Sequence, residues 1–470
     1  MQPNNLWRNN LAEERSHMRK VKDLTNHSFS PTFCFAKWYH TQMYMQTGET
    51  HSCYHPAPHK IDIDEIKNNP SALHNTKHKK QERKEMLAGI QTKGCQYCWN
   101  VENMDGDYVS DRNIRSASIY NDERLKEVTF NKWDFDVNPE YIEISFGNEC
   151  NFRCGYCHPK ASSRYHNEIK QFGPYNTVKN HRCDIDWFEV FEEETNPYLD
   201  AFWKWWPEVS KTLNILRVTG GEPTIQKSTY KLFDELEKDP KPHIELNVNS
   251  NLGGKERQLE KFTNCVNSLL TQNKIKSFKL FTSVDTWNPR AEYIRDGLDL
   301  EVFERNLDYF MRNTTAPITI MITFNIFSVT TFDTLLAKIL EWRKKYNDVD
   351  SGRFQRIGFD TPYLKEPLQY DMNILPKETY MPYMQKHLQF IRDNLQEGSK
   401  EHFNELEYEK FRRVVDYMGT TEYPDYKLEE GRRDFWNFFR EQDRRRNNNF
   451  VESFPEMLDF FELCRKANET

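Results

Sequence analysis

Cys150, Cys154 and Cys157 stand at a CxxxCxxC spacing directly after residues 141–146, an apolar alternation that reads as a strand. No other feature constrains the fold as much, because three thiols must meet at the end of one strand. Three thiolates can hold a cubane iron–sulfur cluster while leaving one iron without a protein ligand. An open iron is a place for chemistry, whereas a closed four-cysteine site mostly moves electrons or holds structure. Taken alone, the spacing also suits a zinc knuckle. A second strand-like run, 214–219, ends in Thr219-Gly220-Gly221-Glu222-Pro223.

Strand candidates continue at 243–249, 277–285, 318–326 and 354–360, with helical periodicity between them at 228–237, 256–270 and 331–346. Six βα units predict a barrel-like α/β domain. The outer face of such strands packs under helices, so Ile142, Ile144, Phe146, Ile244, Leu246 and Val248 are expected to point outward. The alternate positions then face a lumen: Glu143 and Ser145; Glu245, Asn247 and Asn249; Lys279, Phe281, Ser283 and Asp285; Thr319, Met321, Thr323 and Asn325; Arg356 and Asp360. A polar lumen is costly unless wet or occupied, so this recurrence predicts a ligand cavity. Asn249, Asn251, Ser283, Asp285 and Asn325 fall at strand C-termini, where such barrels carry their sites. Helix capping is the competing use of those Asn and Ser side chains.

The pair of motifs resembles the radical S-adenosylmethionine (SAM) superfamily, whose signature is a CxxxCxΦC loop with an aromatic Φ, here Tyr156, followed by a Gly-Gly-Glu-like motif. The resemblance implies a partial (β/α)6 barrel over 138–365. Cys150, Cys154 and Cys157 would hold a [4Fe–4S] cluster, with SAM on its fourth iron. Reductive cleavage of SAM would give methionine and a 5′-deoxyadenosyl radical that takes hydrogen from a substrate. Gly220 and Gly221 would let the backbone approach the methionine moiety, and Glu222 would hold its ammonium group. Tyr156, Asn249, Ser283 and Asp285 complete the expected cofactor-binding set, and similar Ser-x-Asp endings of the fourth strand occur in the family. Tyr293-Ile294-Arg295 also resembles a segment of relatives; a salt-bridged surface arginine is the plain alternative.

A second cysteine set lies upstream. Thirteen residues separate Cys34 from Gly48, four separate Gly48 from Cys53, and Cys95 and Cys98 form a CxxC. The pattern resembles the twitch domain, the shortened SPASM domain, and implies an auxiliary [4Fe–4S] cluster over 29–130. Phe33-Cys34, Trp38-Tyr39-His40 and Ser110-Asp111-Arg112 add to the likeness. In most of the family this segment follows the barrel; here it precedes it. Four cysteines in this arrangement also suit structural zinc. Relatives of this kind often act on peptides or proteins and some on small molecules, with a reductant such as flavodoxin or ferredoxin. A non-catalytic metal-binding protein is the reading from another class, and the intact Gly-Gly-Glu-Pro stands against it.

The remaining expectations are plain. Ten cysteines clustered at short spacings fit metal binding in a reducing compartment, hence a cytoplasmic protein. A formal charge of −7 carries no signature of nucleic acid, and no run of about 18 apolar residues predicts a membrane span. Residues 1–28 read as a polar tail without a signal-peptide core. Phe202-Trp203-Lys204-Trp205-Trp206 reads as core packing, and the basic runs 77–80 and 444–446 as solvated helix faces. His51, His55, His59 and His158 are not expected to be ligands, and Cys183, Cys265 and Cys464 stand alone. Beyond residue 366 the pattern is helical, at 376–394, 401–418 and 428–446, without a motif.

Overall fold

A computed structural model describes residues 3–104, 109–178, 185, 188–347 and 355–469, with side chains from residue 15 onward. Cys183 lies outside these residues. Nine strands form one sheet: β1 (His40–Tyr44), β2 (Glu49–His51), β3 (His59–Lys60), β4 (Tyr141–Ser145), β5 (Ile215–Thr219), β6 (Lys241–Ser250), β7 (Ile275–Ser283), β8 (Ile318–Met321) and β9 (Ile357–Asp360). Their order is β3-β2-β1-β4-β5-β6-β7-β8-β9. From β4 to β9 every neighbouring pair is parallel and consecutive. These are the six strands expected from the alternation. The sheet is open, with β3 and β9 at its edges.

Ile142, Ile144, Leu216, Val218, Ile244, Leu246, Val248, Leu280, Ile318 and Ile320 are buried on the outer face. They pack among the helices Lys227–Lys238, Glu256–Thr271, Leu300–Asn313 and Phe332–Lys345, which belong to the same hydrophobic core. Each fully buried aliphatic side chain contributes about 1.5–3 kcal/mol, so the face that carries them is set. The opposite face therefore takes Glu143, Arg217, Asn247, Asn249, Phe281 and Ser283, all only partly buried, and the exposed Lys279.

Four expectations are corrected here. β8 stops at Met321 rather than 326. Asn325 is fully buried, its side chain spent on the backbone N–H of Phe327 and the carbonyl of Thr323, so it builds a turn and does not line the lumen. Arg356 precedes β9 and is buried, donating to the Thr314 carbonyl at 2.7 Å. Residues 1–28, read as a tail, are helical over Pro3–Ser28.

The cysteine-rich segment has a small core of its own, with Phe33, Phe35, Trp38, Tyr39, Met86, Trp99, Ile119, Val128 and Val137. Its hairpin is nevertheless part of the main sheet. β1 runs parallel to β4, β2 and β3 add antiparallel beyond it, and Met43, Met45, Ile61, Ile66 and Leu73 join the barrel core. The C-terminal helices Lys377–Asp393, Glu405–Thr420, Asp425–Arg446 and Leu458–Glu469 close on the barrel through aromatic packing. Phe327, from the loop after β8, meets Phe435, Phe439, Phe450 and Phe454 at centroid distances of 4.8–6.0 Å. Phe202, Trp205 and Trp206 are buried core residues, as expected.

Candidate functional site

The loop after β4 carries Cys150, Cys154 and Cys157 to the C-terminal edge of the sheet. All three line a cavity of about 340 Å³ that also takes in Tyr156, Thr219, Gly220, Gly221, Asn249, Ser283 and Arg295. Burial pushes the Cys154 thiol up to about 12, an effect the Arg295 guanidinium opposes. Burial also raises Cys150 well above its ordinary value, eased by the Phe152 N–H donated to its sulfur at 3.4 Å and deepened by Cys157 and Cys154. Thiols in this setting are poor free nucleophiles and become thiolates when a metal supplies the positive charge. Among the described residues no three His, Cys, Asp or Glu side chains converge as around a single ion. A cubane divides its thiolates among several irons, so convergence on one point is not required of it.

The Gly-Gly pair has a visible reason. Gly220 has φ +106, and a Cβ there would meet the Ser145 hydroxyl and lie 2.9 Å from the Gly147 carbonyl. A Cβ on Gly221 would overlap the backbone of Asn148 and Glu149. The two loops at the ends of β4 and β5 therefore lie backbone to backbone, tied by Gly221 N–H to the Gly147 carbonyl at 3.2 Å and Glu222 N–H to the Glu149 carbonyl at 2.7 Å. Glu222 is buried and its carboxylate holds loops together. It accepts from the Thr224 hydroxyl at 2.6 Å, the Ser250 hydroxyl at 2.8 Å, the Thr224 N–H at 3.1 Å and the Asn251 N–H at 2.6 Å.

Asp285 is a second hub, fully buried two residues beyond β7. It accepts from the Tyr156 hydroxyl at 2.6 Å, from Arg295 Nε and Nη2 at 3.0 Å each, and from the Thr323 N–H at 3.0 Å. Arg295 in turn lies over the Tyr156 ring at 5.5 Å. One carboxylate thus links the cysteine loop, the end of β8 and a cavity-lining cation. Arg295 is salt-bridged, as the plainer alternative had it, but buried rather than on the surface. Asn249 accepts from Arg217 Nε at 3.0 Å, and Ser283 faces the cavity beside it. His158 also lines the cavity, where its Nδ1 accepts from the Lys160 N–H at 3.1 Å.

The helix Asp425–Arg446 reaches this loop from the other side. A Cβ on Gly155 would strike the Tyr370 hydroxyl and stand 2.7 Å from Gln442 Oε1. Glu168 is buried between two guanidiniums, Arg446 at 2.9 and 3.1 Å and Arg153 of the cysteine loop at 3.1 Å, and accepts from the Tyr175 hydroxyl at 2.6 Å. Arg153 also pairs with Asp296 at 2.6 Å. Sequence reasoning did not find Glu168 or Arg153, and it read Arg446 and Lys79 as parts of solvated basic runs, whereas both are buried; Glu168, Arg153 and Arg446 carry no common motif and lie up to 293 positions apart.

Upstream, Cys34, Cys95 and Cys98 are buried and Cys53 nearly so. Gly48 turns between β1 and β2 with φ +60, under the Tyr198 ring. Cys95 and Cys98 sit at the start of the helix Gln96–Glu102. Arg112 clamps these pieces, donating to the Phe33 carbonyl at 2.6 Å and bidentately to Glu102 at 2.6 and 3.0 Å. Backbone N–H groups of Ala36, His55 and Arg112 donate to the sulfurs of Cys34, Cys53 and Cys98. The Cys34 thiol is pushed up to about 11 by burial and then by Cys95 and Cys53; Cys98 rises to about 12 for the same reasons. His51, His55 and His59 bond to the Pro56 carbonyl, Asp111 and Thr76, respectively.

The two cysteine sets are linked through the lumen. Tyr54, next to Cys53, bonds Tyr141 at 2.9 Å and Glu143 at 3.2 Å. Arg217, 3.8 Å from Glu143, continues to Asn249 at the cavity.

No protein-family model matches the chain. Among solved structures it is similar to anSMEcpe with bound AdoMet, at 16% identity over 53% of this chain and 59% of that one, with a TM-score of 0.33. The same protein with AdoMet and Cp18Cys peptide matches at 15% identity, 54% and 60% coverage, and a TM-score of 0.34. Streptococcus suis SuiB bound to S-adenosylmethionine matches at 13% identity, 66% and 61% coverage, and a TM-score of 0.33. The chain spans about three-fifths of the length of these structures.

Proposed function

We propose that this protein is a radical SAM enzyme with one auxiliary iron–sulfur cluster, acting on a peptide or protein. The observation that carries the reading is the meeting, in one cavity, of three thiols, Cys154 buried and Cys150 and Cys157 partly so, with the Gly-Gly backbone and the Asn249, Ser283 and Arg295 side chains. Cys150, Cys154 and Cys157 would hold the catalytic [4Fe–4S] cluster. Cys34, Cys53, Cys95 and Cys98 would hold the second, and the N–H donors aimed at their sulfurs fit thiolates. When bound, cluster and SAM together supply a 5′-deoxyadenosyl radical for hydrogen abstraction.

The chain's own residues do the rest. Gly220 and Gly221 keep the strand-end backbone close and free of side chains where the cofactor's amino-acid portion would lie. Asn249 and Ser283 present polar groups to its ribose or carboxylate, and Arg295, pinned by Asp285, places a fixed cation at the wall. Tyr156 is held by the same carboxylate, so the cysteine loop is set before any ligand arrives. The half-open polar lumen beneath receives the substrate. No helix among the described residues is long and apolar enough to cross a membrane, and the clustering of the cysteines at short, metal-ligand spacings favours a reducing compartment, the cytoplasm.

The test is anaerobic reconstitution of the full chain, with iron and sulfide counted and dithionite-dependent 5′-deoxyadenosine measured. About eight irons and SAM cleavage, the latter lost in Cys154→Ala, are expected. Absence of cleavage under any reductant refutes the enzyme.

A further inference from the structure

The lumen beneath the cavity carries its charges in one row. Strand register sets Glu143, Arg217, Asn247 and Lys279 side by side across β4, β5, β6 and β7. All four stand on the lumen face, because their neighbours Ile144, Val218, Leu246 and Leu280 are buried under the helices. The next row toward the strand C-termini, about 6.5 Å on, pairs Asn249 with Phe281, and Asn249 lines the cavity. Arg217 reaches up into that second row. Its Nε donates to Asn249 Oδ1 at 3.0 Å, and its guanidinium lies over the Phe281 ring at 4.4 Å. The Lys279 ammonium stands 5.8 Å from the centre of the same ring. Two cations from neighbouring positions of one row thus meet a single aromatic side chain just below the cavity.

The carboxylates of the lumen do not answer this pair. Glu245 is taken by Lys276 at 2.8 Å, Asp360 by Lys410 at 3.1 Å and Asp285 by Arg295 at 3.0 Å. Glu143 accepts from the Tyr54 and Tyr141 hydroxyls at 3.2 Å each and comes no nearer to Arg217 Nη1 than 3.8 Å, beyond hydrogen-bond length. Lys279 is exposed to the lumen, and among the described residues it pairs with no carboxylate. The row therefore holds two cations and one carboxylate. A guanidinium laid flat on a ring and fixed through Nε keeps its Nη edge in one orientation, and such an edge matches the two oxygens of a carboxylate.

We infer that Arg217 and Lys279 select a substrate that carries a carboxylate, and hold that carboxylate at the edge of Phe281 below the cavity. This rests on the reading of the cavity as the cofactor site and of the lumen as the substrate's place. In a peptide the group is an Asp or Glu side chain close to the residue that reacts; a free small acid offers the same group. Phe281 packs against the aliphatic stem of that side chain, and the two cations take its end. Glu143 closes the row with the opposite sign and disfavours a second acidic group there. Arg217 and Lys279 bind and orient; they move no proton or electron.

The experiment uses the reconstituted full chain with SAM and two blocked pentapeptides, acetyl-Gly-Gly-Glu-Gly-Gly-amide and its Gln counterpart, which differ in one charge. Saturation-transfer NMR reads their affinities, with glutarate as the small acid. The Glu peptide is expected to bind about tenfold tighter than the Gln peptide. Lys279→Met should shrink that preference and Lys279→Glu should abolish it, while Glu143→Gln should strengthen it. The opposite sign at Glu143 separates charge from disturbed packing. Arg217→Met should also erase the preference, and the exposed Lys279 carries the test if that variant does not fold. Glutarate binding more tightly than the Glu peptide supports the carboxylate site and gives it to a small acid. Equal binding of the two peptides, binding of neither, or an intact preference in Lys279→Glu overturns the inference. So does a loss of SAM affinity in place of the peptide preference, which would give the pair to the cofactor's own carboxylate. A charge preference in a protein that cleaves no SAM under any reductant overturns the radical SAM reading and leaves the carboxylate site standing.

Discussion

Replacing Asp285 by Asn decides whether this carboxylate serves the ligand or the loops. It accepts four hydrogen bonds, two of them from Arg295, and is fully buried. An amide keeps one acceptor oxygen and turns an NH2 group toward donors on the other side. At least one of Arg295, Tyr156 and Thr323 then loses its acceptor, and the guanidinium, 6% exposed, loses its counter-ion. Breaking a buried pair in this way costs about 3–5 kcal/mol, most of it the penalty of the charge left behind. A protein of 470 residues need not unfold in one step, so the assay is local: amide hydrogen exchange over 150–157 and 290–296 in cofactor-free protein. Opening made easier by that amount speeds exchange by roughly two to four orders of magnitude where protection reflects this packing. Wild-type protection in Asp285→Asn, with only SAM affinity reduced, would refute the argument and return Asp285 to direct cofactor contact.

Three further outcomes follow from the same geometry. Glu168→Gln leaves Arg446 and Arg153 facing a neutral amide and should cost about 3–5 kcal/mol, loosening both the cysteine loop and the helix Asp425–Arg446; Glu208→Gln, an exposed partner of Lys211, should cost under about 1 kcal/mol, and equal losses of exchange protection would count against the buried network. Gly221→Ala drives a methyl into the backbone of Asn148 and Glu149, so about 1–3 kcal/mol of strain and poor iron retention at Cys150 are expected, measured as iron per chain. His40 is pushed down to about 3 by burial, then by Arg115 and Arg124, from an ordinary 6.5. Its effect is absent above that value; below it the unfolded chain takes a proton the folded one refuses, so stability falls from about pH 6.5 toward pH 3, by about 2 kcal/mol at pH 5. Limited proteolysis within 29–137 should therefore accelerate at pH 5, less so in His40→Gln, and an identical pH response in both proteins would discount His40.

The barrel strands were legible because alternation reports burial directly. Outward Ile244, Leu246 and Val248 against inward Asn247 and Asn249 leaves one orientation for β6. Three of the four helices that cover this face were legible for the same reason, with ends within one residue of the structure, while Leu300–Asn313 was not read. β8 was read too long because Ile322, Phe324 and Ile326 keep the apolar alternation after the regular ladder ends; Phe324 continues only as a single bridge to Tyr363. The pairing of β1 with β4 had no local signature, since hydrogen bonds between strands a hundred residues apart use backbone groups that every residue has.

The site shows a sharper limit. Glu222 was selected through the Gly-Gly-Glu-like motif, and Asp285 through its strand-end position and the similar Ser-x-Asp endings in the family. Position, however, does not tell what a carboxylate faces. Ser250, Thr224 and the Asn251 backbone converge on Glu222, and Arg295, Tyr156 and the Thr323 backbone on Asp285; in each case the partners come from different strand ends. Gly220 and Gly221 were expected to admit the cofactor's methionine moiety; the group that approaches them in the structure is the neighbouring loop's backbone. The open end of a parallel barrel has loops rather than helices to hold its strand ends in register, so its buried polar residues are drawn into that work. Residues such as Asn249 and Ser283, half-buried and facing the cavity, keep polar atoms toward it and are the ones on which cofactor affinity should depend.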